Sequence, residues 1–436
     1  MKQIKFLAIL ASVFLYVGCG DGNTPTKVVN TATDKVAIYT NADAIAYKSA
    51  DASTWKTIDK SSGSDAGKGI KKYEIDKLDK FNVALRCKFH SSTPASNEGN
   101  SKITPSSITN KLILFAYTKD DGDIYYKCGE YYSRRDINGT ISYNVTGDIP
   151  NQYIVAANKT YTNISDENYN LHIYKNKVDL ISVAIKEQAS TGVSDAAPLR
   201  FYIEKAVPTP SDTIKDITFN SSNSCTLAEH NVTVDPNTEG FIQLISENGT
   251  NLKVSNLLKW YSVDSSCPSI NSKDTYVAVS IGANGIKLAS TPATSAQSYV
   301  NLNASHIKEL TGIMHDGSGT INGLNQYIPD TNSPSVIAYK IDAYNGSGEV
   351  YIAILSKNYL GSATSYTLEN LKTVAGFENS MSGDEIPGGN ATVVMSNKFL
   401  NEISTGKPID TSKGYFYAPY KGTVEYATED NINPTD

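Results

Sequence analysis

The chain has little charge for its length, few residues that do redox or metal chemistry, and no sustained helical pattern. Charged residues make up 19% of the 436 positions and the formal net charge is -6. Lysine and arginine cluster no further than the pairs Lys71-Lys72 and Arg134-Arg135. Without a basic patch the phosphate backbone has nothing to neutralise it, so no nucleic-acid partner is expected. The five histidines, His90, His172, His230, His306 and His315, are scattered and make no His-Glu-x-x-His zinc motif, and no Cys-x-x-Cys pair is present. Gly63 to Gly69 holds a Gly-Lys pair without the spacing or the following hydroxyl of a phosphate loop. Neither a metal nor an organic cofactor is therefore expected.

Other near-motifs fail on their spacing. In His315-Asp316-Gly317-Ser318-Gly319 the glycines adjoin the serine, whereas a nucleophile elbow sets them two residues away, so this reads as a loop. Asp235, Asn237, Glu239 and Gly240 open like a calcium loop, but Pro236 stiffens it and Ser246 stands where the twelfth-position glutamate belongs. Asp120, Asp121 and Asp123 read as a solvated turn. No two carboxylates are nominated as a glycosidase pair, and no catalytic residue is expected.

Tyrosine, by contrast, occurs 28 times, and most of the polar remainder is Ser, Thr and Asn. Aromatic and β-branched side chains suit a pleated, half-buried surface, while Asn and Ser suit turns. Strand-length apolar or alternating runs cover Val36 to Thr40, Ala44 to Lys48, Trp55 to Ile58, Phe81 to Phe89, Leu112 to Thr118 and Ile124 to Cys128. Asp121-Gly122 and Asn284-Gly285 are hairpin signals. Ala304 to Ile313 and Lys398 to Ile403 are the short helix candidates. The fold class is all-β, as tandem antiparallel β-sandwich domains. A chain of this length implies roughly three or four cores. Joints near Arg134-Arg135, at Val207-Pro208-Thr209-Pro210-Ser211 and near Pro329 to Pro334 divide it into 36–133, 134–206, 207–328 and 329–436. Ile45-Ala46-Tyr47-Lys48 recurs as Ile337-Ala338-Tyr339-Lys340, a faint sign of duplication. The tyrosine groups Tyr125-Tyr126, Tyr131-Tyr132 and Tyr415-Phe416-Tyr417 with Tyr420 are candidate stacking surfaces for a glycan or protein partner.

Lys2 and Lys5 precede an uncharged run, Phe6 to Gly18, that is shorter than the roughly 18 apolar residues a permanent span needs. That is the plan of a signal peptide over 1–18. Its end, Tyr16-Val17-Gly18-Cys19, resembles the lipobox of bacterial lipoproteins, with Tyr16 where that family prefers leucine. The resemblance implies acylation of Cys19, which would become the first mature residue and the membrane anchor. Two or more acyl chains hold a protein stably, each buried methylene contributing about 0.8 kcal/mol. Gly20 rather than aspartate after Cys19 favours the outer membrane within the cell envelope. Residues 19–35, rich in Gly, Asn, Thr and Pro, read as a tether.

In an exported chain the four remaining cysteines are expected to be oxidised. Three pairings are open in principle, and spacing favours Cys87 with Cys128 and Cys225 with Cys267, each closing a loop inside one expected domain. Such a loop contributes about 4 kcal/mol in the chain-entropy model. The acidic residue two before the asparagine in Asp136-Ile137-Asn138-Gly139-Thr140 and Glu229-His230-Asn231-Val232-Thr233 fits an extended bacterial N-glycosylation acceptor.

Residues 139–184, with Ile141-Ser142-Tyr143-Asn144-Val145, Tyr153-Ile154-Val155-Ala156-Ala157, Tyr169-Asn170-Leu171-His172-Ile173-Tyr174 and Val178-Asp179-Leu180-Ile181-Ser182-Val183-Ala184, resemble a transthyretin-like or carboxypeptidase-regulatory-like module. Lys175-Asn176-Lys177 stands where that family often has a Pro-Gly turn. Trp55 followed by Phe81-Asn82-Val83-Ala84-Leu85-Arg86-Cys87 is similar to the first domain of uncharacterised bacterial lipoproteins built from such modules. The resemblance implies no catalytic residue. The expected role is therefore a lipid-anchored envelope protein that binds or scaffolds, with an exported glycan hydrolase and an envelope-assembly scaffold as the alternatives.

Overall fold

A computed structural model describes residues 35–66, 70–91, 107–126, 128, 134–146, 150, 152–157, 160–164, 168–174, 180–186, 197–204, 214–222, 224–245, 251–255, 259–263, 275–282, 286–344, 349–385, 388–397, 424–430 and 432. The fold is all-β, in several sheets packed as sandwiches. Its one α-helix among the described residues is the single turn Lys357–Leu360, capped by Ser356, whose Oγ accepts from Tyr359 N at 2.9 Å.

The main element is a twelve-stranded sheet. From one edge it runs Asn251–Lys253, Thr238–Ile245, Thr275–Gly282, Lys287–Ala293, Val424–Asp430, Gly389–Ser396, Val336–Tyr344, Val350–Ser356, Ser107–Thr118, Lys80–Ser91, Ala44–Ser49 and Lys56–Thr57. Every neighbouring pair is antiparallel except Val350–Ser356 beside Ser107–Thr118, which is parallel. Central strands are apolar on both sides because both sides are covered. Ile113, Phe115 and Tyr117 face one core, while Leu112, Leu114 and Ala116 face the other.

The first face is covered by a four-stranded sheet, ordered Ser64–Asp65, Lys71–Asp76, Lys35–Thr40 and Ile124–Tyr126. Ile38, Tyr73, Ile75 and Ile124 pack there against Val83, Leu85, Ile113 and Phe115. On the second face the cover is mostly irregular chain from 303–328 and 357–385, which contributes Ile307, Leu310, Leu371 and Phe377.

Two local expectations fail there for identifiable reasons. Ala304 to Ile313 forms no helix, although its apolar residues fall every third position. Carboxylates on the sheet take the polar groups of this segment instead of its own carbonyls: Glu429 accepts from Gly312 N at 3.0 Å and Ile313 N at 2.7 Å. Asp121-Gly122 does turn the chain, with Gly122 at φ 84°, but the strands either side do not pair as a hairpin. Ser107–Thr118 stays in the large sheet, whereas Ile124–Tyr126 crosses to the cover sheet and runs parallel to Lys35–Thr40. Asp121 and Asp123 divert it. The Asp123 carboxylate accepts from Ala37 N at 2.9 Å, which draws the chain onto the cover sheet.

Residues 134–220 form a further sandwich. Asn168–Tyr174, Arg134–Asn144 and Ile217–Asn220 make one layer. The facing layer holds Thr160–Ile164, Gln152–Ala157, Leu180–Lys186 and Ala197–Glu204, and continues into Cys225–Val234 with Lys259–Val263 and Tyr299–Leu302 beside it. Ile137, Val155, Leu171, Leu180 and Phe219 fill the space between the layers. Gly139 allows the layer to close, since a Cβ there would lie 2.0 Å from Lys215 O.

The strand pairing crosses all three expected joints. The segments 36–133 and 329–436 share the twelve-stranded sheet through the pairing of Leu112 with Tyr351 and Phe115 with Ile354. Ile217–Asn220, beyond Val207 to Ser211, completes the sandwich of the segment before it by pairing parallel to Arg134–Asn144. Lys287–Ala293 and Val424–Asp430 join the last two segments.

Candidate functional site

Alternation along Ala44–Ser49 and Lys80–Ser91 puts Lys48 and Asn82 on the second face of the large sheet, where they stand directly opposite one another. Glu369 descends onto them from the irregular cover. Lys48 Nζ lies 2.9 Å from Glu369 Oε1 and 3.0 Å from Oε2. Asn82 Nδ2 donates to the same Oε1 at 3.3 Å. Asn82 is 1% exposed, the Lys48 side chain 10% and the Glu369 side chain 21%, so an ion pair and an amide share one largely buried site.

A tyrosine holds the Glu369 backbone in place. Glu369 N donates to Tyr351 Oη at 3.0 Å, and Tyr351 Oη donates to Glu369 O at 3.2 Å. Burial pushes the Tyr351 and Tyr366 phenols well above the ordinary tyrosine range, so both remain neutral donors. Tyr366 reaches Asn82 Oδ1 at 3.5 Å, and the Tyr359 ring stands edge-on to it with centroids 6.0 Å apart. Lys48 Nζ also lies 5.3 Å from the Trp55 ring centroid. An amine, an amide and a carboxylate thus meet inside an aromatic wall. Their sequence separation, 34 residues and more, gave no motif to find; the available signal was polar Asn82 interrupting an apolar strand.

A second polar centre braces the turn at Asp121, which is 4% exposed rather than solvated. Its Oδ2 accepts from Thr118 N at 2.7 Å, Thr118 Oγ1 at 2.9 Å and Ser356 Oγ at 2.6 Å, and its Oδ1 from Asn358 Nδ2 at 2.8 Å. A third pairs His306 Nε2 with Glu425 Oε1 at 2.8 Å. Glu425 Oε2 and His306 Nδ1 are buried with no hydrogen-bond partner among the described residues.

The near-motifs resolve into structural roles. Ser318 Oγ donates to Asp316 Oδ1 at 2.8 Å, and with the Thr320 and Ser318 amides holds the Asp316 carboxyl down to about 2. His315 is buried, with Nδ1 accepting from Gly317 N at 3.3 Å, so it does not activate Ser318. Asp235 to Thr238 closes a turn in which Thr238 N donates to Asp235 O at 3.1 Å and Asn237 has φ 59°. His230 stacks on Trp260 at 4.4 Å and meets Ser262 Oγ at 2.7 Å, and burial lowers its pKa. Tyr125 is buried against Tyr39, centroids 4.3 Å apart, which removes it from any binding surface. Tyr126 is half-buried beside Phe115. Asn138 and Asn231 lie exposed on strands, and Asn231 Oδ1 accepts from Lys259 Nζ at 2.9 Å. Among the described residues no group of three or more His, Cys, Asp or Glu is placed to hold a metal ion.

Cys87 and Cys128 are joined, with Cα atoms 5.4 Å apart, and the bond ties the large sheet to its cover sheet. Asn41 clamps the Cys128 backbone, accepting from its N at 2.6 Å and donating to its O at 3.3 Å. Cys225 is disulfide-bonded. Cys19, Cys267, Tyr131, Tyr132, Tyr415, Phe416, Tyr417, Tyr420 and the helix candidate at 398–403 lie outside the described residues, as do the side chains of His90 and His172. No known protein-family model matches the chain, and no curated protein sequence matches it.

Proposed function

We propose that this chain is an exported, lipid-anchored protein of the bacterial cell envelope, held at the outer membrane by acylated Cys19, with a binding or scaffolding role rather than a catalytic one. The observation that carries the reading is the segment Lys2 to Cys19: a basic start, an uncharged apolar run too short to span, and small residues running into a cysteine. The Cys87–Cys128 bond supports it, because disulfides persist in oxidising compartments outside the cytosol. Residues 20–34, rich in Gly, Asn, Thr and Pro, suit a polar tether that would hold the β-body out toward a protein or glycan partner.

Labelling the expressing cells with a radioactive or clickable fatty acid tests the anchor. The parent chain takes up label and fractionates with the outer membrane, and Cys19→Ser takes up none and keeps its signal segment. Equal labelling of the variant would refute the lipid anchor. Protease applied to intact cells separates a surface-facing from a periplasm-facing placement.

A further inference from the structure

We propose that Lys48 and Asn82 become joined by an intramolecular amide bond whose formation Glu369 assists. The two side chains are an opposed cross-strand pair, already at the spacing at which such side chains touch. Both nitrogens contact one carboxylate oxygen, Glu369 Oε1, at 2.9 Å and 3.3 Å. Held reactants of this kind escape the entropy cost of meeting, and exclusion of water protects both the amine and the intermediate.

The step balances within the chain and needs no cofactor. Glu369 takes a proton from the Lys48 ammonium, and the freed amine attacks Cγ of Asn82, forming the new C–N bond. Glu369 then delivers that proton to Nδ2 and takes one from the new amide nitrogen as the Cγ–Nδ2 bond breaks. It passes this last proton to the departing ammonia, which leaves as ammonium and restores the carboxylate. One amide replaces another, and nothing is oxidised or reduced.

Two other lysine–asparagine contacts show what sets this one apart. Lys259 Nζ lies 2.9 Å from Asn231 Oδ1 and 2.9 Å from Glu229 Oε1, but the Lys259 and Glu229 side chains are 36% and 52% exposed, so water solvates both charges. Lys357 Nζ lies 2.6 Å from Asn325 Oδ1, but the amide nitrogen there donates to the Gly361 and Ala363 carbonyls, not to a carboxylate that could carry protons. At Lys48 the burial, the carboxylate and the opposed strands coincide. With the Cys87–Cys128 bond, strand Lys80–Ser91 would then be fixed covalently through both of its faces.

Proteolytic mapping of the purified full chain under reducing conditions decides it. The expected result is a branched peptide joining the Lys48 and Asn82 segments, uncut at Lys48, and an intact mass lower by one ammonia. Linear peptides alone from the parent chain overturn the proposal without need of any variant. Glu369→Gln is expected to abolish the branched peptide while retaining, in a parallel non-reducing digest, the Cys87–Cys128 linkage as evidence of folding. As much branched peptide in Glu369→Gln as in the parent would overturn the role of the carboxylate. The Lys259 and Asn231 segments, mapped in the same digest, are expected to stay linear.

Discussion

Ile45-Ala46-Tyr47-Lys48 and Ile337-Ala338-Tyr339-Lys340 have the same four residues in the same sheet, yet only their isoleucines face the same way. In the first copy Ile45 faces the cover-sheet core, Ala46 the opposite core and Tyr47 the cover side again, by plain alternation. The second copy starts alike, with Ile337 on the cover side, but Ala338 joins it there and Tyr339 drops into the opposite core. A β-bulge between Val336 and Ala338 accounts for the change, because it sets two residues against one on the partner strand and resets the alternation after it. Lys48 consequently meets Glu369 on one face, whereas Lys340 lies on the other beside Asp342 at 2.5 Å. Identity over four residues therefore carries no information about environment here. The recurrence is not evidence of duplication.

The tyrosines separate the copies most. Tyr339 is 1% exposed and its Oη accepts from Asn325 N at 3.1 Å, while Tyr47 is half-buried next to an edge strand. Tyr339→Ala is expected to cost about 3–5 kcal/mol and Tyr47→Ala about 1 kcal/mol in denaturant unfolding. Equal losses would mean that the bulge does not redirect the second copy.

The lysines come next. Lys48→Met leaves Glu369 without its nitrogen partner inside the aromatic site and is expected to cost about 3 kcal/mol. Lys340→Met is expected to cost about 1 kcal/mol, since Asp342 keeps a favourable interaction with Lys111. Unfolding midpoints of the two single variants measure the difference.

A pH experiment sharpens the contrast, because only the second copy has Lys111 near it. Burial holds the Lys111 amine down at about 8, with Lys340 lowering it further and Asp342 opposing. Its ordinary value is 10.5, so between pH 8 and 10.5 the unfolded chain carries more protons and stability rises with pH; below pH 8 both states are protonated and the full penalty persists. The parent chain is expected to gain stability relative to Lys111→Met across that window, as thermal melts would show. The smallest effect belongs to the isoleucines, Ile45→Val costing about 1 kcal/mol and the less buried Ile337→Val about 0.5 kcal/mol.

The legible part of this molecule was what depends on neighbours in sequence. Strand positions such as Ala44–Ser49 and Lys80–Ser91 follow from alternation and β-branched content, and Cys87 with Cys128 follows from spacing. What depends on distant partners was not. Asp121 reads as a solvated turn until Ser356 and Asn358 arrive from more than 230 positions away to bury it. The unbroken apolar run Leu112 to Tyr117 marks a strand apolar on both faces, but nothing local says that Val350–Ser356 will lie beside it in parallel. Lys48, Asn82 and Glu369 come together only because that topology holds, so no pattern along the chain could nominate them.

Strand Val424–Asp430 sits inside the large sheet, hydrogen-bonded to Lys287–Ala293 on one side and to Gly389–Ser396 on the other. As the chain emerges, those two neighbours are ready long before the strand that belongs between them. Until it arrives each presents an open edge, the kind of surface that pairs with other chains. Pairings so remote in sequence must close long loops before they gain any contact energy, which makes for slow folding. The large sheet should thus be complete only after residue 430 has been delivered, and a nascent chain stalled before residue 424 should remain susceptible to aggregation and dependent on a holding chaperone.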